Sequence, residues 1–367
     1  MRCWHALGLW LAAPLLTGLA HADYRVERVA EGLEYPWSLA FLPDGGMLVT
    51  ERPGRLRLID SQGQLREAPL AGVPRVFAEA QAGLFEVMLA PDFAESGLLY
   101  LSYAYGDLSA NNTCLGRARF NGERLSGGEV LFCALPAKRG ASHYGGRLAL
   151  LPDDTLVLTL GDGFDYREEA QNTGNHLGSL VRLTLDGRVP EDNPFHGDET
   201  ARPELYSLGH RNVQGIVYDA ERDELLINEH GPRGGDELNR IEPGANYGWP
   251  LTTHGVDYTG ARITPFRELP SLVSPLLHWT PSIAPSGMAL YRGEAFPDWQ
   301  GDLFVSALAG QQVRRLIREE GQVVEQQMLF EELGARIRDV RVGPDGYLYL
   351  LTDHAEGALL RVVPAPE

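Results

Sequence analysis

Apolar residues along this chain rarely recur at the 3.6-residue spacing of amphipathic helices; they gather in short runs that follow polar turns. One unit returns repeatedly, a turn of the Pro-Asp-x-Gly kind followed by an apolar strand. It reads "LPDGGMLVTE" from Leu42, "APDFAESGLLYLSY" from Ala90 and "LPDDTLVLTLGDG" from Leu151. It recurs as "YDAERDELLINEHG" from Tyr218, "FPDWQGDLFVSAL" from Phe296 and "GPDGYLYLLTD" from Gly343. The turn aspartates Asp44, Asp92, Asp153, Asp219, Asp298 and Asp345 are 48, 61, 66, 79 and 47 residues apart. Six strand-turn-strand repeats on that scale predict an all-β chain, a six-bladed β-propeller of four-stranded antiparallel sheets. A lone blade cannot bury both faces, so residues 23–367 are expected to form a single propeller domain. Ring closure is expected to pair "YRVERVA", from Tyr24, with "ALLRVV", from Ala358. The wider spacings place long insertions in blades three and four.

Residues 1–22 read as a secretory signal peptide. Arg2 precedes an apolar run from Ala6 to Ala20, and Ala20-His21-Ala22 offers a small-x-small cleavage site before Asp23. A periplasmic or secreted protein is therefore expected, and no other stretch approaches the ~18 apolar residues needed for a membrane span. The formal net charge of -18 argues against nucleic acid and anionic membrane as partners. Cys3 lies in the signal, which leaves Cys114 and Cys133. They form either one disulfide, worth ~3 kcal/mol for a loop of about twenty residues, or two buried thiols.

Loops at one end of a propeller converge on a shared mouth, so distant loop motifs can build one site. Several carry polar chemistry: "EAQAGLFEV" with Gln81, "SHYGGR" with His143, "SLGHRNVQG" with Arg211, Asn212 and Gln214, and "ARIRDVR" with Arg336, Arg338 and Arg341. Arg336 and Arg338 are two apart and face one side of a strand; with Arg211 they could clamp a polyanion, or they could simply pair with Asp339. His143 suits a general base, with Asp162 of "LGDG" placed to orient it, or it is a structural donor. The stretch "NEHGPRGGDELNRIEPGANYGWP", Asn228 to Pro250, reads as a long rigid loop, neither helix nor strand. Its oxygens suit calcium: the Gly231 and Pro232 carbonyls in a stiff turn, and the Glu237 carboxylate. The competing reading is a loop whose acids face water.

Taken together, "GLEYPWSLAFLPDGGMLVTERPGRLRLID", "GHRNVQG", "EHGPRGGDELNRIEPGANYGWP", "PSIAPSGMALY" and "RIRDVRVGPDGYLYLLTD" resemble one family. It comprises the soluble aldose sugar dehydrogenases that use pyrroloquinoline quinone, relatives of soluble quinoprotein glucose dehydrogenase. The resemblance runs the length of the chain beyond residue 22 and itself implies a six-bladed propeller. It implies oxidation of an aldose at its anomeric carbon to a lactone, by hydride transfer to calcium-bound pyrroloquinoline quinone. An external acceptor would then take the electrons. By position, His143 matches the residue that removes the hydroxyl proton, and Asp162 its support. Gln81, Arg211, Asn212, Tyr258, Arg336 and Arg338 match residues around the cofactor. The Gly231 and Pro232 carbonyls match those holding the calcium on the quinone; Glu237 and the Tyr247 carbonyl match a second, structural calcium site. Ala309 stands where relatives carry a cofactor-contacting lysine, Val213 replaces a proline and Ser142 an aspartate; these departures bear on affinity and substrate preference. The alternatives are a calcium-dependent lactonase and a non-catalytic propeller that binds carbohydrate or protein.

Overall fold

The computed structural model describes residues 24–366; the proposed signal peptide lies outside the described residues. Six antiparallel sheets follow one another along the chain, each running outward from a central axis. Blade 1 comprises Pro36–Phe41, Met47–Glu51 and Arg55–Ile59. Blades 2 and 3 begin at Leu84–Leu89 and Gly145–Leu150, blades 4 and 5 at Val213–Asp219 and Pro285–Leu290, and blade 6 at Ile337–Val342. Five sheets have four strands; in blade 1 the outer position holds only an isolated bridge between Ile59 and Leu65. The ring closes as the sequence predicts: Tyr24–Leu33 pairs antiparallel with Gly357–Pro364, from Tyr24 opposite Pro364 to Leu33 opposite Gly357.

The repeated aspartate has a local cause. A short carboxylate can accept from an amide two residues on and so hold a tight turn between the first two strands of a blade. Asp44 Oδ1 accepts from Gly46 N–H at 2.9 Å, Asp153 Oδ1 from Thr155 N–H at 3.1 Å, and Asp345 Oδ1 from Tyr347 N–H at 3.1 Å. Asp92 and Asp298 instead stand at short helical turns, Phe93–Ser96 and Pro297–Trp299.

The apolar runs are continuous because inner strands are covered on both faces by neighbouring blades. Leu48, Leu56, Leu84, Leu99 and Leu101 interleave between blades 1 and 2, and Tyr100, Leu115, Leu156, Leu158 and Val181 between blades 2 and 3. Each fully buried side chain of this kind contributes ~1.5–3 kcal/mol. Cys114 and Cys133 face each other across adjacent strands of blade 2 and are joined as a disulfide.

On the axis the inner strands present charge. Buried Arg147 lies 3.2 Å from Glu86 and 3.0 Å from Asp339, donates to the carbonyls of Gln214 and Arg338, and stacks over Trp37. One guanidinium thus ties its own blade 3 to blades 1, 2, 4 and 6. Asp339 belongs to this knot and also pairs with Arg341, so it is not the partner of Arg336 and Arg338.

The stretch from Asn228 to Pro250 departs from the expected unbroken loop. Residues 228 and 229 end the strand Glu224–Glu229, and Asp236–Ile241 is a third strand of blade 4. Its polar residues disguised it, because Asp236 and Asn239 are buried: Asp236 accepts from the amides of Gly231, Ile283 and Ala284 and from the Ser282 hydroxyl. Glu229 and Asp236 are buried and Glu237 partly so, whereas Glu242 faces water. The long insertion follows, at residues 242–276, before the short outer strand Leu277–Trp279.

Candidate active site

His143 ends a loop that must lie flat against the end of the strand Thr155–Leu160, and glycines make the approach possible. A Cβ on Gly161 would sit 2.4 Å from the His143 carbonyl, and one on Gly145, at φ 66°, 2.5 Å from the Thr159 carbonyl. His143 itself has a φ of 54°, an uncommon conformation for a residue with a side chain. Its amide donates to Gln81 Oε1 at 2.9 Å.

So held, the buried imidazole places Nδ1 2.7 Å from Asp162 Oδ1. Asp162 Oδ1 also accepts from the Phe164 amide at 2.8 Å, and Oδ2 from the Trp249 indole N–H at 2.8 Å. Burial would raise the Asp162 pKa, but the hydrogen bond from His143, the nearby charge of Arg211 and the Phe164 amide outweigh it and hold the carboxyl below its usual range. Burial lowers the His143 pKa, Asp162 acts against it, and the charges of Arg211 and Lys138 reinforce it. A neutral imidazole facing an ionised carboxylate carries its proton on Nδ1. Its Nε2 is left with a free lone pair, the arrangement a general base requires.

Two cavities flank this pair. The inner one, about 210 Å³, is lined by Gln81, Asn212, Gln214, His230, Arg336 and Arg338, among others. Asn212 Oδ1 accepts from Gly145 N–H at 3.2 Å and Gln214 Nε2 at 3.3 Å, which ties blade 3 to the loop before blade 4. His230, enclosed beside Arg211, is pushed down to about 3, first by burial, and stays neutral while its Nε2–H donates to the Pro285 carbonyl at 2.7 Å. Arg336 and Arg338 do face one side: both reach Asp353, at 3.0 and 3.3 Å. Arg338 is buried, and its Nε has no acceptor among the described residues. An unsatisfied buried donor beside two further arginines, Arg336 and Arg52, fits a carboxylate-bearing ligand.

The outer cavity, about 250 Å³, lies between Phe164, Arg211, Trp249 and Tyr258. Arg211 is here, apart from the other two arginines. Its guanidinium donates to the Gly231 carbonyl at 2.7 Å and the Tyr258 hydroxyl at 3.3 Å. Arg211 thus lines the outer cavity and Arg336 and Arg338 the inner one, while the charges of Arg211 and Arg338 both act on His230.

The carbonyls expected to hold calcium can be tested for fit. Gly231 O already accepts from Arg211, and Pro232 O has no donor among the described residues. Glu237 is pushed up to about 8 by burial and by the Glu229 carboxylate beside it. Asn239 donates to both acids, at 3.1 and 3.2 Å, and leaves its own buried Oδ1 without a partner. Two carboxyl groups next to an orphaned oxygen fit a hard cation. Tyr247 stacks on His210, which in turn lies 2.9 Å from Glu229. Among the described residues no three His, Cys, Asp or Glu side chains converge as a ligand set, so backbone and amide oxygens would have to complete either site.

Sequence reasoning missed Asp353, Trp249 as the second support of Asp162, and Lys138. Trp249 stood in a quoted motif but is distant in sequence from its partner. Asp353 could have been found as the acid ending the strand beside Arg336 and Arg338.

A propeller with a buried His–Asp pair between a basic inner cavity and an aromatic outer one has the form of a cofactor-using oxidoreductase. Residues 33–361 match the family model described as Glucose / Sorbosone dehydrogenase, and the chain belongs to that family. It is 42% identical over 351 residues to Aldose sugar dehydrogenase YliI of Escherichia coli (strain K12), covering 94% of each chain. It resembles the crystal structure of a glucose dehydrogenase at 46% identity and a TM-score of 0.90, with 93% of this chain and 100% of that one covered. The pyrroloquinoline quinone-bound aldose sugar dehydrogenase of Streptomyces coelicolor is 29% identical, with a TM-score of 0.74 over 93% of this chain and 99% of that one.

Proposed function

We propose that this chain oxidises aldose sugars at the anomeric carbon to lactones, using calcium and pyrroloquinoline quinone, and hands the electrons to an external acceptor. The reading is carried by one juxtaposition: a His143 with Nε2 free, held by Asp162, beside a cavity in which the Nε of buried Arg338 lacks an acceptor among the described residues. When bound, the calcium-polarised quinone supplies the hydride acceptor.

The chain's residues do the rest. His143 Nε2 takes the proton of the anomeric hydroxyl, and Asp162 stabilises the imidazolium that forms, as a buried carboxylate partner does. Trp249 and the Phe164 amide hold Asp162 in place. Arg336, Arg338, Gln81 and Asn212 bind the cofactor's carboxylates and polar edges, Arg211 and Tyr258 close its other side, and Gly231 and Pro232 offer carbonyls to the metal. Glu237 and the Tyr247 carbonyl would hold a second calcium. Phe164 and Tyr258, stacked with ring centroids 6.3 Å apart, wall the outer cavity. Export to an oxidising compartment fits the Cys114–Cys133 disulfide. No helix among the described residues is long and apolar enough to cross a membrane.

A lactonase would need carboxylates free to meet on an axial metal. The axial acids here, Glu86 and Asp339, are both held by Arg147 and Arg341. The test is reconstitution: purified chain with quinone and calcium should reduce a dye with a panel of aldoses, stop on chelation and recover with calcium. Equal sugar oxidation by quinone-free, metal-free protein would refute the reading.

A further inference from the structure

The chain has 32 basic residues besides histidine, and only Lys138 is a lysine. It is also buried, which is rare for an ammonium without a carboxylate partner. Its Nζ donates to Asn111 Oδ1 at 3.2 Å and to the Gly140 carbonyl at 3.3 Å, and lies 3.9 Å from the centre of the Tyr144 ring. The three groups are themselves linked. The Tyr144 hydroxyl donates to Asn111 Oδ1 at 2.6 Å, and Asn111 Nδ2 donates to the Gly140 carbonyl at 2.8 Å. The backbones of Asn111 and Lys138 exchange two further hydrogen bonds, at 2.9 and 2.8 Å. This knot therefore ties both ends of the segment 138–144 to blade 2, and His143 is within that segment.

The lysine stem also touches the other half of the pair. A Cβ on Gly163, the residue after Asp162, would come within 2.6 Å of Lys138 Cδ. A bare glycine there lets the lysine pass directly behind the carboxylate. The acidic groups its charge acts on are Asp162 and Asp165, and burial brings it down to about 8, so it remains mostly protonated near pH 7. The charged groups acting on His143 are Asp162, Arg211 and Lys138, and His143 in turn acts on His230.

We propose that Lys138 is a positioning residue for the His143–Asp162 pair: it braces the loop that turns His143 toward Asp162 and places a positive charge behind them. The inference rests on His143 being the base. Replacing the charge with an apolar chain should make protonated His143 less costly. The base would then be lost to protonation at higher pH than in the wild type.

The test measures kcat against pH for reconstituted wild type, Lys138→Met, Lys138→Arg and His143→Asn, with quinone affinity and melting temperature recorded for each. Lys138→Met should bind quinone as the wild type does, lose at least about tenfold in kcat from a misplaced base, and show its acid limb at higher pH. Lys138→Arg should keep the wild-type limb, even where its bulk lowers kcat. An unmoved limb in Lys138→Met, whether kcat falls or not, would overturn the proposal and leave the lysine a packing residue. If Lys138→Met does not fold, Lys138→Gln, which removes the charge but keeps a donor, carries the test, and an unmoved limb in it would overturn the proposal. His143→Asn separates the two ideas: retained turnover there removes the base itself, whereas its loss beside a wild-type-like Lys138→Met removes only the lysine's role.

Discussion

The two halves of the site are finished to different degrees. Around His143 and Asp162 the protein supplies partners for the groups that fix the pair and leaves only the working Nε2 lone pair free: Gln81 takes the His143 amide, Asp162 takes Nδ1, and Trp249 and the Phe164 amide take the carboxylate oxygens. Around the arginines the partners are makeshift. Asp353 is shared by Arg336 and Arg338, Arg211 leans on a backbone carbonyl, and the Arg338 Nε has no acceptor among the described residues. The half that would move a proton in the proposed reaction is preorganised by the protein itself, as electrostatic catalysis requires. The half that binds is left short of acceptors, and that deficit is what an anionic cofactor would satisfy.

The contrast can be broken most severely at the base. His143→Asn should cut turnover by ~100-fold or more while leaving quinone affinity near wild type; a loss under threefold would show that another group takes the proton. In the binding half, Arg338→Ala should weaken quinone binding by ~1.5–3 kcal/mol, the scale of hydrogen bonds to charged groups. Titration with quinone checks this, and unchanged affinity would mean that Arg338 serves Asp353 alone. Calcium should raise the melting temperature, by an amount equivalent to ~2.7 kcal/mol at a hundredfold excess over Kd. Glu237→Ala should lose part of that gain, and an equal gain in the variant would move the second metal elsewhere. Because burial holds the His143 pKa below the ordinary histidine value, the acid limb of kcat/KM should fall below ~6.5. A limb above that value would contradict a buried neutral base. The smallest effect is expected from Ala309→Lys, which should tighten quinone binding only if residue 309 borders the quinone.

The same division decides what the sequence revealed. The propeller was legible because its signal is local and repeated: an aspartate in a turn, then an apolar strand, six times. The pairing of Tyr24–Leu33 with the last blade followed from counting those repeats. The residues of the preorganised half could be named from short motifs, since His143 and Asp162 are close in sequence. Trp249 could not be assigned to Asp162, because a hydrogen bond across 87 residues leaves no periodic trace. The strand Asp236–Ile241 was hidden for a related reason: alternation of polar and apolar residues signals a strand only when polar residues face water, and here Asp236 and Asn239 are buried. Spacing likewise assigns Arg336 and Arg338 a face of a strand, but not that Asp353 lies between them and shares its carboxylate with both.

Ring closure has a consequence for the order in which the protein can acquire its cofactor. Blade 6 is built from the two ends of the chain, with Tyr24–Leu33 laid beside Gly357–Pro364, and the same blade carries Arg338 and is followed along its second strand by Asp353. While the chain is still being made, the first-synthesised strand has no sheet to join and the inner cavity lacks a wall. If the proposed quinone site is this cavity, its wall is complete only once Gly357–Pro364 has paired with Tyr24–Leu33. A chain shortened by a few residues at its carboxyl end, before Val363, would compromise binding at a distance through an unlatched ring.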